Sequence, residues 1–222
     1  TVSQAHLGTD GGLRLIKELT AELERRGVEF SLGEEVTDID HDRNVLVSRQ
    51  REMEYGALVV APGRKGFKFL QDMMNHLGIN YNDNIVDIGI RVETKEELYP
   101  IVRDYYDPKF MFPEKVRTFC TNSRAAYVVQ EKYLSHDGVE YFSVNGHAWS
   151  DPAKANNLVN FALLKPIKLT RPVASGQKFA EILGLQANLC GGGRPIMQRV
   201  GDFRMGKRSV RETFNNDLYD FS

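Results

Sequence analysis

Four stretches of the chain carry residue types that can do chemistry. In "VRTFCTN" (116–122) an alternating run reaches Cys120 with Arg117 close by. A thiol beside a cation has its pKa lowered and works as a nucleophile or acid; more commonly a free cysteine is a small, inert core residue. Strand alternation puts Cys120 with Thr118 on one face and Arg117 with Phe119 on the other, so Arg117 is poorly placed to activate it. In "GIRVE" (89–93) Arg91 and Glu93 share a strand face. Arg91 then either holds a substrate carboxylate or pairs with Glu93. "SVNGHAW" (143–149) offers Asn145 for substrate contact and His147 as a proton donor, although Asn-Gly is also a hairpin-turn signal. "GGGRPIMQRVGDFRMGKRS" (191–209) sets Arg194, Arg199, Arg204, Lys207 and Arg208 among five glycines. Glycine-rich backbone exposes amides to an anion, and arginine forks hold carboxylate or phosphate in two-point contact. Arg194 and Arg199 are the expected contacts; a solvated basic loop is the plainer reading.

These residues need a scaffold, and 222 residues at 41% hydrophobic suffice for one large domain or two small ones with a real core. The net charge of −1 gives no bulk signal for nucleic acid or membrane. Its distribution is uneven: residues 152–211 hold eleven Lys/Arg against two acids, whereas residues 1–151 hold 18 bases against 25 acids. A basic third in an acidic chain points to an anionic ligand or to an intramolecular partner. The two cysteines, Cys120 and Cys190, show neither metal-ligand spacing nor a disulfide framework, which makes a reducing cytoplasm the expected location. No pair of histidines has helical ligand spacing, so no metal is expected. No apolar run approaches the length of a membrane span.

Periodicity supplies the elements. Leu13, Ile16, Leu19 and Leu23 form one helical stripe, with Thr9 or Asp10 as cap and Gly27 at the end. "VEF" (28–30) reads as a short strand, and Val36, Ile39, Val45 and Val47 mark two strands about a "DHDRN" turn. "ALVVAPG" (57–63) reads as a buried strand, paired in a sheet with 28–30, that ends on a nearly side-chain-free turn. A helix over 68–78 follows, then an alternating strand over 84–93 and a short helix broken near Pro100. Residues 116–149 are β-rich, and 86–92, 116–120 and 141–145 are expected in one antiparallel sheet. Helices are expected over 153–164 and over 175–189, the latter capped by Ser175. The pattern changes at Gly63–Gly66, which divides the chain into residues 1–64 and 65–222.

The order of these segments is itself informative. "AHLGTDGGLRLIKELTAELERRGVEFSLGEEVTDID", "ALVVAPG", "IGIRVE", "RTFC", "VNG" and "NNLVNFALL" together resemble the uncharacterised FAD-dependent dehydrogenases, bacterial flavoproteins of the glutathione-reductase-like superfamily. The resemblance implies a mixed α and β fold (α+β), in which a partial Rossmann-type FAD domain (1–64) precedes an inserted antiparallel-sheet substrate domain with helices (65–222). It implies FAD as cofactor, a small organic substrate, and a nicotinamide or other electron partner. It places Val36, Ala61, Pro62 and Gly63 near the flavin and turns Cys120 toward the active site. The G-x-G-x-x-G strand–turn–helix that holds the pyrophosphate is absent from residues 1–222, and "GGGRPIMQR" follows a helix and so does not replace it. The chain therefore reads as an interior piece of a flavoprotein oxidoreductase that would not retain FAD by itself. An anion- or RNA-binding module built on 191–211 is the alternative.

Overall fold

The computed structural model describes residues 7–170 and 175–214. The chain is mixed α and β, with antiparallel sheets and four α-helices among the described residues.

Helix α1 (Gly8–Arg25) follows the expected stripe and ends as glycine dictates. Gly27 takes φ +83°, its N–H reaches the Glu24 carbonyl at 2.9 Å, and the Val28 N–H reaches the Leu23 carbonyl at 3.0 Å. This crossed pair closes the last turn. The helix starts without the expected cap, since Leu7 occupies that position and no side chain caps it. Asp10 is drawn away: it accepts from the Ser150 N–H (2.9 Å) and the Ser150 hydroxyl (2.8 Å). The stripe itself faces solvent, with Leu13 56%, Ile16 63% and Leu19 53% exposed.

Strands β1 (Val36–Asp40), β2 (Val45–Ser48) and β3 (Glu52–Glu54) form an antiparallel meander in that order. Asn44, at φ +54°, supplies the left-handed turn residue of "DHDRN", and Ile39 and Val45 are buried. The strands expected at 28–30 and 57–61 do not form, and Val59 is 90% exposed. A run of apolar residues becomes a strand only where a neighbour takes up its backbone groups, and among the described residues no strand lies beside this one. Helix α2 (Phe67–His76) then forms as expected, with Gly78 at φ +65° beyond its end.

The second sheet places β8 (Leu158–Ile167) between β4 (Val86–Lys95) and β5 (Arg117–Asn122), all antiparallel. The helix expected over 153–164 is thus a central strand. "LVNFALL" is apolar on both faces, as a fully covered strand is, and periodicity alone does not separate that from a buried helix. One face of the sheet carries Val92, Val159, Phe161 and Leu163 against Tyr99, Ile101 and Val102. The Tyr99 and Phe161 rings stack at 5.0 Å. Short 3-10 turns at Glu96–Leu98 and Pro100–Arg103 replace the broken helix expected there.

Strands β6 (Ala126–Leu134) and β7 (Glu140–Ala148) form a separate hairpin, so 141–145 does not join the sheet of 86–92 and 116–120. The hairpin turns at Gly138, φ +78°. Asn145 and Gly146 lie within β7 opposite Val129 and Val128, which excludes the turn reading of that dipeptide. Helix α3 (Gly176–Cys190) starts where Ser175 caps it, the hydroxyl accepting from the Lys178 N–H at 3.2 Å. It is fixed to β7 by the buried Asn188, whose amide exchanges two hydrogen bonds with the Phe142 backbone at 2.8 and 2.6 Å. A short helix α4 (Val200–Arg204) follows.

Candidate functional site

Strand alternation directs Arg91 and Glu93 of β4, Asn160 of β8 and Asn122 of β5 away from the apolar face and toward the β6–β7 hairpin. Register aligns them: Glu93 lies opposite Asn160, and Asn160 opposite Asn122. The result is a polar layer between the sheet and the hairpin. Arg91 Nη1 donates to Asn160 Oδ1 at 2.6 Å and to the Cys120 carbonyl at 3.2 Å, and Nη2 donates to Asn145 Oδ1 at 3.4 Å. Asn122 Nδ2 donates to Asn160 Oδ1 at 3.1 Å and to the Cys120 carbonyl at 3.0 Å. Asn160 Oδ1 thus accepts twice, which fixes the orientation of its amide. Asn160 is 0% exposed, and its Nδ2 is buried without a partner.

Gly146 permits this closure. A Cβ there would meet Arg91 Nη1 at 2.0 Å, Asn160 Oδ1 at 2.2 Å and Asn122 Nδ2 at 2.4 Å. The hairpin backbone therefore rests directly on the three polar tips.

Cys120 sits at an irregularity in the β5–β8 pairing, between Phe119 and Asn122. Its φ of +50° is rare for a residue with a side chain. The thiol is half-buried, 3.7 Å from Asn122 Nδ2. Arg117 points elsewhere, bonding Asp87 at 2.7 Å and covering the Phe119 ring at 4.9 Å. The cation near Cys120 is Arg91, and it reaches the carbonyl, not the sulfur.

Arg91 and Glu93 do not pair, since no carboxylate of the described residues comes within ion-pair distance of the Arg91 guanidinium. Arg91 is half-buried and held by neutral oxygens only. Glu93 is also half-buried, and burial raises its carboxyl above the ordinary range.

A hydrogen-bond chain runs outward from the layer. Asn145 Nδ2 donates to Glu131 Oε1 at 2.9 Å, and the Tyr133 hydroxyl donates to Glu131 Oε2 at 2.8 Å. Arg64 bonds the Tyr133 hydroxyl, covers its ring at 4.8 Å and lies 3.6 Å from Glu131. Burial works against the Glu131 charge, but the bonds from Asn145 and Tyr133 and the Arg64 charge outweigh it, leaving the carboxyl below its usual range. Arg64 directly follows the Ala61-Pro62-Gly63 turn, so this chain ties that turn to the hairpin.

Three expected positions thus come together: Arg91, Cys120 and Asn145. His147 is half-buried on β7, and no hydrogen bond or ion pair joins it to the layer. Arg194 is exposed in the turn closing α3; Arg199 is exposed beyond it, its N–H bonded to Ser209 Oγ at 2.9 Å. The glycines before Arg194 end α3: the Gly191 N–H reaches the Ala187 carbonyl at 3.0 Å and the Gly193 N–H reaches that of Asn188 at 2.7 Å. That capping accounts for them without an anion. Asn122, Asn160, Glu131 and Tyr133 were not expected. The signal for Asn160 was present, as one amide inside an apolar run.

The residues expected near the flavin lie outside any parallel strand–helix–strand unit among the described residues. Val36 starts β1, while Ala61, Pro62 and Gly63 lie on an exposed loop, Gly63 at φ +66° with open space beside it. All strand pairs among them are antiparallel, whereas a dinucleotide fold needs parallel strands joined through a helix.

Beyond β5 the chain turns sharply into β6. Arg124 takes φ +68°, and the Ala125 N–H bonds the Ser123 carbonyl at 2.9 Å across it, a strained three-residue turn. This corner borders a cavity of about 480 Å³ whose lining includes Tyr106, Ser123, Arg124, Trp149 and Asp151. Among the described residues no three His, Cys, Asp or Glu side chains could hold a metal together, and no helix is long and apolar enough to cross a membrane. No protein-family model, curated protein or solved structure matches the chain.

Proposed function

We propose that this chain is the substrate side of a flavin-dependent oxidoreductase that acts on a small organic anion, with the polar layer around Arg91 and Cys120 as its site. The observation that supports this reading is Arg91: a half-buried guanidinium, bonded only to neutral oxygens, beside a cysteine held in a strained conformation. A cation drawn partly out of water without a counter-ion is costly, and an anionic ligand would supply the missing charge. Backbone strain at Cys120 has the same sense, since such strain concentrates at functional sites. In this reading Arg91 binds and orients the substrate anion, Asn145 and Asn160 hold the guanidinium in place, and Asn122 fixes the Asn160 amide. Cys120 lies at the edge of the site, where its thiol can hold or pass a proton.

The oxidoreductase class rests on the resemblance. On this reading the FAD pyrophosphate would be held by a dinucleotide motif that these 222 residues do not contain. The test is Arg91→Gln in the protein made from its complete reading frame. Substrate KM should rise while flavin content stays the same. An unchanged KM removes Arg91 from the site.

A second reading has its own observation. Arg199, Arg204, Lys207 and Arg208 are exposed and form no ion pair among the described residues, and exposed Phe203 and Met205 lie between them. That mixture suits an anionic polymer such as RNA. Retention on RNA that falls steeply with salt would favour it.

A further inference from the structure

The cavity at the β5–β6 corner is the feature that the oxidoreductase reading leaves unused, and its lining is chemically specific. Its volume of about 480 Å³ lies within the roughly 300–1,000 Å³ usual for small-molecule sites. Arg124 lines it from a φ of +68°, a conformation that a residue with a long side chain adopts at a cost. Among the described residues no carboxylate pairs with the Arg124 guanidinium. Asp151 lines the same cavity and makes no ion pair; one of its oxygens caps the Ala153 N–H at 2.9 Å. Glu96 also lines it, but its charge is met by Arg103 at 3.4 Å. The cavity is therefore lined by one exposed cation and one exposed anion that form no ion pair with each other or with another described residue. Tyr106 and Trp149 add aromatic surface. Lys154 caps one face of the Trp149 ring at 3.1 Å.

We infer that this cavity binds a free α-amino acid with an aromatic or large apolar side chain, its carboxylate on Arg124 and its ammonium on Asp151. A simple anion would satisfy Arg124 and leave Asp151 opposing it; a simple amine would do the reverse. A zwitterion meets both charges, and its side chain lies against the aromatic wall. This inference goes beyond the oxidoreductase reading and does not depend on it.

The experiment is calorimetric titration of the folded chain with L-phenylalanine, with 3-phenylpropanoate, which lacks the ammonium, and with phenethylamine, which lacks the carboxylate. L-Phenylalanine should bind about tenfold or more tightly than either analogue, since each analogue forfeits a charge-assisted contact. Arg124→Gly suits the positive φ and should weaken L-phenylalanine and 3-phenylpropanoate about tenfold while sparing phenethylamine. Asp151→Asn keeps the capping oxygen and should weaken L-phenylalanine and phenethylamine while sparing 3-phenylpropanoate. Arg124→Asn, which also tolerates positive φ, serves if the glycine variant does not fold. Absence of heat with L-phenylalanine, equal binding of the three probes, or loss without this split in the variants overturns the proposal.

Discussion

Replacing Gly146 with alanine adds one methyl group at the point where the hairpin rests on the polar layer. Gly146 has no positive φ, so backbone strain does not enter. The methyl would stand 2.0 Å from Arg91 Nη1, 2.2 Å from Asn160 Oδ1 and 2.4 Å from Asn122 Nδ2. The Arg91 tip can swing away, but Asn160 and Asn122 are 0% and 3% exposed and have nowhere to go. Either the amides separate or the hairpin lifts. Separation leaves buried polar atoms unpaired, at about 1–3 kcal/mol each; lifting costs a similar amount as an overpacked core does, about 1–3 kcal/mol. A loss of about 3 kcal/mol follows, which for a chain of this size lowers Tm by roughly 6–12 °C. The assay is urea and thermal unfolding of Gly146→Ala beside Gly138→Ala. Gly138 also gains a methyl, but into open space at φ +78°, so its loss is the backbone term alone, about 1 kcal/mol. If Gly146→Ala melts within a degree or two of the parent, or no lower than Gly138→Ala, the contact between hairpin and polar layer is refuted.

Further outcomes follow from the same geometry. Because Cys120 sits at φ +50°, Cys120→Gly should be more stable than Cys120→Ala by about 1 kcal/mol; equal urea midpoints would deny the strain. Burial raises the Glu93 carboxyl above its ordinary 4.5, so the folded chain holds that proton longer than the unfolded one, and stability falls as pH rises through the raised value. Glu93→Gln should therefore stabilise the chain near neutral pH and change little in mild acid; an equal effect at both would contradict the assignment. Backbone and hydroxyl bonds from Ser150 hold Asp10 down at about 2. Its contribution is present above the ordinary carboxylate range and is lost as pH falls toward that value, so Asp10→Ala should speed amide exchange in α1 at neutral pH. Unchanged exchange there would mean that the bond to Ser150 does not hold the helix.

Three of the four described α-helices were legible because their signals are local, whereas the five-residue α4 lay inside a stretch read as a glycine-rich basic loop. A 3.6-residue stripe followed by glycine marks α1 and α2, and Ser175 marks α3. The strands were legible only in part. "NIVDIGIRVE" alternates, and its period declares one buried face. "NNLVNFALL" is covered on both faces, and nothing within the segment distinguishes that from a helix. "ALVVA" has the composition of a strand, but pairing belongs to the neighbour, and among the described residues none is supplied. The site follows the same division. Arg91, Cys120 and Asn145 could be named by type, because arginine, cysteine and asparagine in strands invite a chemical reading. Their meeting point could not, because it depends on the registers of β4, β8 and β5, on the irregularity at Cys120 and on the missing side chain at Gly146. Arg64 was hidden for the same reason: it is 69 residues from the tyrosine that it bonds.

The most direct test of the oxidoreductase reading is the flavin content of the protein made from its complete reading frame, measured beside that of residues 1–222 alone. The account predicts stoichiometric FAD, released on denaturation, in the former and none in the latter. A colourless protein from the complete reading frame, or stoichiometric FAD on these 222 residues alone, would contradict it.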